Sequence, residues 1–137
     1  MARKKDRVII DTNLWISYLL SPIFKKLDSI LSHKEINILF SQELLDELIE
    51  VTQRPKFKKY FDLKDVTLLL EQLRVRSIFV DVNSIIEVCR DEKDNFLLSL
   101  AEDGRAAHLI AGDKDLLVMK KHKRTSILTI EEYLQDK

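Results

Sequence analysis

Two acidic residues stand directly behind short apolar runs: Asp11 after Val8-Ile9-Ile10, and Asp113 after Leu109-Ile110-Ala111-Gly112. Two further carboxylates lie on segments with helical patterns, Glu47 behind the run Ile36-Asn37-Ile38-Leu39-Phe40 and Asp94 ahead of the run that ends at Asp113. If the apolar runs are neighbouring strands of one sheet, all four carboxylates can gather at the same end of it, where open parallel sheets bind their ligands. Two like charges about 4 Å apart repel by roughly 4 kcal/mol at an effective dielectric of 20, so a convergent cluster must hold either protons or cations. Cations are the better wager. Oxygen-only ligands suit hard ions such as Mg²⁺ or Mn²⁺, and no paired His or Cys accompanies these acids to make a zinc site. Such an ion lowers the pKa of a bound water to give an attacking hydroxide, and a second ion stabilises the leaving oxygen of an in-line displacement at phosphorus. The chemistry to expect from Asp11, Glu47, Asp94 and Asp113 is therefore hydrolysis of phosphodiester bonds.

Each acid also has an ordinary use. Asp11 with Thr12 and Asn13 can cap a helix that begins at Leu14. Glu47 shares its helix with Glu43, Asp46 and Glu50, and acids on a helix face are usually solvated. Asp94 lies among Asp91, Glu92 and Lys93, where first-turn acids favour the helix dipole. Asp113 can be a turn residue beside Gly112. The conjunction of acids at corresponding strand ends, and no single one of them, carries the chemical reading.

The elements that must position these residues are legible as alternating patterns. Residues 8–10, 36–40, 77–80, 106–111 and 126–129 read as short strands, most of them buried. Between them, residues 14–20, 22–32, 42–53, 64–76 and 92–102 read as helices, with Pro22 in a permitted first turn and Ser41 as an N-cap. Residues 42–53 carry Leu44, Leu45, Leu48 and Val51 on one side and Glu43, Glu47 and Glu50 on another. Thr129 and Glu132 form a capping box that opens a last short helix. Strands alternating with helices predict an α/β sandwich around a mainly parallel sheet of about five strands.

Composition narrows the remaining possibilities. A chain of 137 residues with 45% hydrophobic residues and no long apolar stretch reads as one globular domain over 1–137, without a membrane role. The basic start Met1-Ala2-Arg3-Lys4-Lys5-Asp6-Arg7 is not followed by a signal-peptide core, because Asp11, Thr12 and Asn13 interrupt the apolar run at once. A single cysteine, Cys89, excludes an intramolecular disulfide, and a reducing cytoplasm fits. Lys and Arg number 23 and Asp and Glu 23, so whole-molecule charge makes no case for nucleic-acid binding. Its distribution says more: basic residues gather at the N-terminus, at Arg54, Lys56, Lys58 and Lys59, and at Lys120, Lys121, Lys123 and Arg124. Such clusters are commonly solvated surface, and alternatively track phosphates.

Four blocks of the chain together resemble the PIN domain (PilT N-terminus). Val8-Ile9-Ile10-Asp11-Thr12-Asn13 is similar to the opening strand with the first acid, and Ser41-Gln42-Glu43-Leu44-Leu45-Asp46-Glu47-Leu48 to the second block. Arg90-Asp91-Glu92-Lys93-Asp94-Asn95-Phe96-Leu97-Leu98 is similar to the helix of the third acid, and Gly112-Asp113-Lys114-Asp115-Leu116-Leu117 to the fourth block. Arg54-Pro55-Lys56-Phe57 resembles one subgroup, the toxin components of toxin-antitoxin pairs. The resemblance runs nearly end to end and implies a three-layer sandwich with a parallel central sheet, Mg²⁺ or Mn²⁺ held by the acids, and single-stranded RNA as substrate. It also implies Asp115 as an additional metal ligand, and Asn13 and Ser41 as residues that orient the ligands through hydrogen bonds. Ala111 departs from the pattern, since Thr or Ser is common there. PIN domains of this kind often pair as homodimers and toxins bind an antitoxin peptide, so both partners enter through the resemblance and not through these residues.

The leading expectation is thus a metal-dependent endoribonuclease, the toxin of a toxin-antitoxin pair. The alternative is a PIN-like module or RNA-processing factor that binds RNA without cutting, through Arg54, Lys56, Lys58, Lys59 and the stretch Lys120, Lys121, Lys123 and Arg124. Retention of all four acids argues against it. A phosphatase of the haloacid-dehalogenase type needs a second Asp two residues after the first, where this chain has Asn13. A phosphorylated receiver domain needs an acidic pair that Val80-Asp81-Val82 does not supply.

Overall fold

A computed structural model describes residues 6–20 and 26–135. Among the described residues six strands form one sheet: β1 (Asp6–Ile10), β2 (Ile36–Phe40), β3 (Ser77–Phe79), β4 (His108–Ile110), β5 (Lys121–His122) and β6 (Thr125–Leu128). Their spatial order is β3-β2-β1-β4-β6-β5, and every neighbouring pair is parallel except β5 with β6. The helices are α1 (Thr12–Leu20), α2 (Lys26–Ser32), α3 (Gln42–Thr52), α4 (Pro55–Lys58), α5 (Leu63–Arg76), α6 (Glu92–Gly104), α7 (Lys114–Leu117) and α8 (Ile130–Gln135).

β1 is flanked by a strand on each side and covered on both faces, so Val8, Ile9 and Ile10 are all buried and read as a continuous apolar run. From β1 the chain steps outward to β2 and β3, and α6 then carries it back past β1 to β4. Right-handed crossovers place the helices of the outward steps on one face and α6 on the other. The direction of travel reverses between β1 and β4, which makes the crevice at their carboxyl ends the topological switch point of the sheet. Gly104 lets the end of α6 come close to β2: a Cβ there would stand 2.8 Å from Leu39 Cδ1.

The mainly parallel sheet flanked by helices agrees with the sequence pattern, and three details differ. A sixth strand, β5, joins β6 through a tight turn in which Lys123 takes a φ of 53°; two polar residues carry no apolar pattern to reveal it. β3 is an edge strand with Ile78 and Phe79 exposed, not a buried one. β4 begins at His108 rather than at Ala106, because Ala106 N–H bonds back to the Ala101 carbonyl (2.9 Å) and closes α6 around Arg105 in the left-handed region, φ 54°. The single turns α4 and α7 have no periodicity to betray them. The capping box forms: Glu132 N–H donates to Thr129 Oγ1 (3.1 Å) and Thr129 N–H to Glu132 Oε1 (3.0 Å). The expected helix start at Pro22 and the basic residues 1–5 lie outside the described residues. Among the described residues no helix is long and apolar enough to cross a membrane.

Candidate functional site

Asp11 is the first residue beyond β1. Its N–H donates to the Ile110 carbonyl (3.0 Å), extending the β1–β4 ladder by one bond, and its carbonyl accepts from Leu14 N–H (2.9 Å) as α1 begins. The carboxylate accepts from Asn13 N–H (3.1 Å). Asp11 therefore caps a helix and at the same time is held, 5% exposed, at the switch point. Burial raises its pKa, the Asn13 N–H opposes that, and the charges of Asp113 and Glu47 raise it further.

Across the crevice, Asp94 sits in the first turn of α6. Asp91 caps that helix by accepting from Lys93 N–H (2.9 Å), which leaves Asp94 free to point inward, 4% exposed, with its Oδ2 buried and without a hydrogen-bond partner. A helix N-terminus normally lowers a carboxylate pKa. Here burial, the adjacent Asp113 carboxyl, and the charges of Asp113, Asp91 and Asp11 win, and push Asp94 up to about 7. Asp113 offers it only another acceptor, so the contact becomes a hydrogen bond when one of the two carries a proton. Asp113 in turn caps α7 by accepting from Asp115 N–H (3.1 Å). One oxygen each of Asp94, Asp113 and Asp115 lies within 4.8 Å of the others.

Glu47 belongs to α3, which Ser41 starts by accepting from Leu44 N–H (3.1 Å) with its hydroxyl oxygen. Burial of Leu44, Leu45 and Leu48 sets the rotation of that helix, and leaves Glu47 half-buried while Glu43, Asp46 and Glu50 point to solvent. Asp46 accepts from Gln42 Nε2 (2.9 Å) and Glu50 pairs with Arg54 (3.0 Å), whereas Glu47 lies 3.1 Å from Lys93 Nζ and within electrostatic reach of Asp11. An all-oxygen set with a buried, partnerless carboxylate atom is what a hard divalent cation satisfies.

The other candidate residues separate into near and far. Asn13 is exposed, and it is its backbone N–H that holds Asp11. Ser41 acts on Glu47 through the helix it caps. Ala111 is buried and brings no hydroxyl to the site. Arg54 extends the charged strip of α3 beyond Glu47 and Glu50, and Lys56, Lys58 and Lys59 follow it on and after α4, with Lys56 Nζ 5.4 Å from the centre of Phe57 and Lys59 Nζ 5.1 Å from that of Tyr60. Lys120 and Lys121 lead into the β5–β6 hairpin, whose turn, Lys123 and Arg124, lies where β4 and β6 begin. That is the sheet end opposite the acids, roughly a strand length or ~13 Å away; there the two line a cavity of about 570 Å³ with Arg105 and His122. Two cations at the site escaped the sequence reading, Lys93 on Glu47 and Arg90 on Asp115. Their positions, one and four residues before Asp94 respectively, were the available signal.

Residues 7–115 match the family model of the PIN domain, a span that takes in all five acids from Asp11 to Asp115. The chain is also 34% identical over 128 residues to an uncharacterized protein of Methanocaldococcus jannaschii, an alignment that covers 90% of this chain and 81% of that protein.

Proposed function

We propose that this chain, which belongs to the PIN domain family, is a metal-dependent endoribonuclease that hydrolyses phosphodiester bonds of single-stranded RNA. The observation that carries the proposal is the carboxylate group of Asp94, Asp113 and Asp115, its oxygens within 4.8 Å of one another, opening on the switch point beside the buried Asp11. These four residues and Glu47 would hold Mg²⁺ or Mn²⁺. The bound ion would supply Lewis acidity at the phosphate and lower the pKa of a water. The chain's own part is to keep the acids in place before the ion arrives: the β1–β4 ladder fixes Asp11, the Asp91 cap fixes Asp94, and the α7 turn fixes Asp113 against Asp115.

A single-stranded substrate is supported by the strip that leads from Glu47 along α3 to Arg54, Lys56 and Lys59, where the exposed Tyr60 stands beside the cations while Phe57 is stacked on Phe61 against the core. Exposed aromatics offer faces on which unpaired bases stack, and cations beside them track the backbone. Resemblance of Arg54-Pro55-Lys56-Phe57 to the toxin subgroup supports the finer reading, the toxin of a toxin-antitoxin pair with an antitoxin peptide and a second copy of this chain as partners. A cytoplasmic location belongs to the same proposal and is supported by the free thiol of Cys89.

The test is cleavage of an end-labelled single-stranded RNA by the purified chain with Mn²⁺ or Mg²⁺, against EDTA and against Asp11→Asn and Asp94→Asn. Cutting should need the ion and fall at least about 100-fold in either variant. RNA that binds and stays intact with every ion would make this a binding module instead.

A further inference from the structure

Two cations stand on the flanks of the acidic group. Arg90 Nη2 reaches both oxygens of Asp115, at 3.0 and 2.9 Å, and Lys93 Nζ lies 3.1 Å from Glu47 Oε1. Both come from the short stretch Arg90-Asp91-Glu92-Lys93-Asp94 that ends on a buried acid. Their side chains are 87% and 63% exposed, so neither covers the core, and exposed pairs of this kind add little to stability. Arg90, Lys93 and Asp115 also line one open depression of about 660 Å³ at the mouth of the site.

We propose that Arg90 and Lys93 position the scissile strand's phosphates, and that in the metal-free chain they are held on Asp115 and Glu47 as internal counter-cations. This inference rests on the nuclease reading above. The reason is competition for the same oxygens. A carboxylate taken by a divalent ion has less negative charge left to hold a guanidinium or an ammonium, so loading the site releases both side chains at the groove where RNA must lie. The two are suited to that use: a guanidinium grips a phosphate through two parallel N–H bonds, and an ammonium adds a mobile point charge. The arrangement has a signature that a purely structural role lacks. Removing either cation frees a carboxylate for the metal while taking a contact from the RNA, so the two affinities move in opposite directions.

The experiment uses the full chain and two titrations. Calorimetry with Mn²⁺ compares the unmodified chain with Arg90→Met, Lys93→Met and the charge-keeping Lys93→Arg. Loss of an exposed ion pair should tighten Mn²⁺ binding about threefold to fivefold in both Met variants. Lys93→Arg should bind Mn²⁺ as the unmodified chain does. Anisotropy of a labelled single-stranded RNA, with Mn²⁺ and in an Asp11→Asn background that does not cut, should show the Met variants binding about tenfold more weakly, the worth of one charged hydrogen bond. Unchanged or weaker Mn²⁺ binding in a Met variant overturns the inference, as does RNA affinity that does not fall. An unmodified chain that takes up no Mn²⁺ removes the nuclease reading itself.

Discussion

Asp94 is buried where nothing among the described residues compensates its charge on Oδ2. Its pKa is pushed up to about 7 by burial first, then by the Asp113 carboxyl beside it and the neighbouring acids. The ordinary value is 3.8, so the folded chain takes up a proton that the unfolded chain does not over the interval between the two. Protonation therefore favours the fold: metal-free stability should rise as pH falls through about 7 and level off towards the ordinary carboxylate range. Asp103, whose pKa is lowered by its bonds to Ser84 and Asn83, and Glu102, lowered by Lys123 and His122, act in the opposite sense, but only at more acid pH. Melting curves in EDTA from pH 8 to pH 6 should show Tm climbing for the unmodified chain. Asp94→Asn should melt higher than the unmodified chain at pH 8, and the gap should close on acidification. A variant less stable than its parent at pH 8 would mean that the carboxylate is already compensated by a group within the fold.

Elements matter here mainly through how they are fastened. Residues 80–91 carry no regular structure, yet they deliver Arg90 and Asp91 to the site. One end is tied by Asp103, which accepts from Asn83 N–H (2.6 Å), Ser84 N–H (2.8 Å) and the Ser84 hydroxyl. The other is tied by Asn95, whose Oδ1 accepts from Val88 N–H (3.1 Å) and Cys89 N–H (2.8 Å) while its Nδ2 donates to the Cys89 carbonyl (3.1 Å). Both anchors are on α6, so the loop is clamped to the helix that bears Asp94. Asn95→Ala removes three of these bonds and should cost about 1–3 kcal/mol. Hydrogen exchange would locate the damage: protection should be lost at Val88 and Cys89 while the amides of β1 keep theirs. Uniform loss across the sheet would show that the loop belongs to the global folding unit rather than to a local one.

At the scale of the whole molecule, the acidic group is a stability cost placed where a cation can repay it. Like charges gathered at the mouth of the sheet oppose folding, and an ion that binds only the folded chain opposes that cost. At 100 times its dissociation constant such an ion adds about 2.7 kcal/mol. Addition of Mn²⁺ should raise Tm, EDTA should reverse the rise, and Asp94→Asn should abolish most of the response. A Tm indifferent to Mn²⁺ would argue that the carboxylates do not bind the ion. Overall charge is balanced, so on the proposed function attraction of RNA would have to come from local arrangement, the strip from Arg54 to Tyr60 and Arg90 and Lys93 at the mouth. On that proposal the hairpin of Lys123 and Arg124, at the far end of the sheet, would reach only a strand long enough to wrap the molecule.

The reach of the sequence followed the range of the forces involved. Strand and helix identity, the parallel sheet, and Asp11 as the acid that ends β1 were legible, because burial on both faces of β1 and β4 writes continuous apolar runs; Asp113 instead stands three residues beyond β4, as the cap of α7. The family resemblance was legible for the same reason, since its blocks are these strand ends and caps. Periodicity alone left Glu43, Asp46 and Glu50 as competitors of Glu47, which the family resemblance singled out, and the packing of Leu44, Leu45 and Leu48 is what leaves Glu47 half-buried and the others exposed. The raised pKa of Asp94, the hold of Lys93 on Glu47 and of Arg90 on Asp115, and the distance of Lys123 and Arg124 from the acids join residues far apart in the chain. Local pattern carries no term for such contacts, and tertiary structure alone decided them.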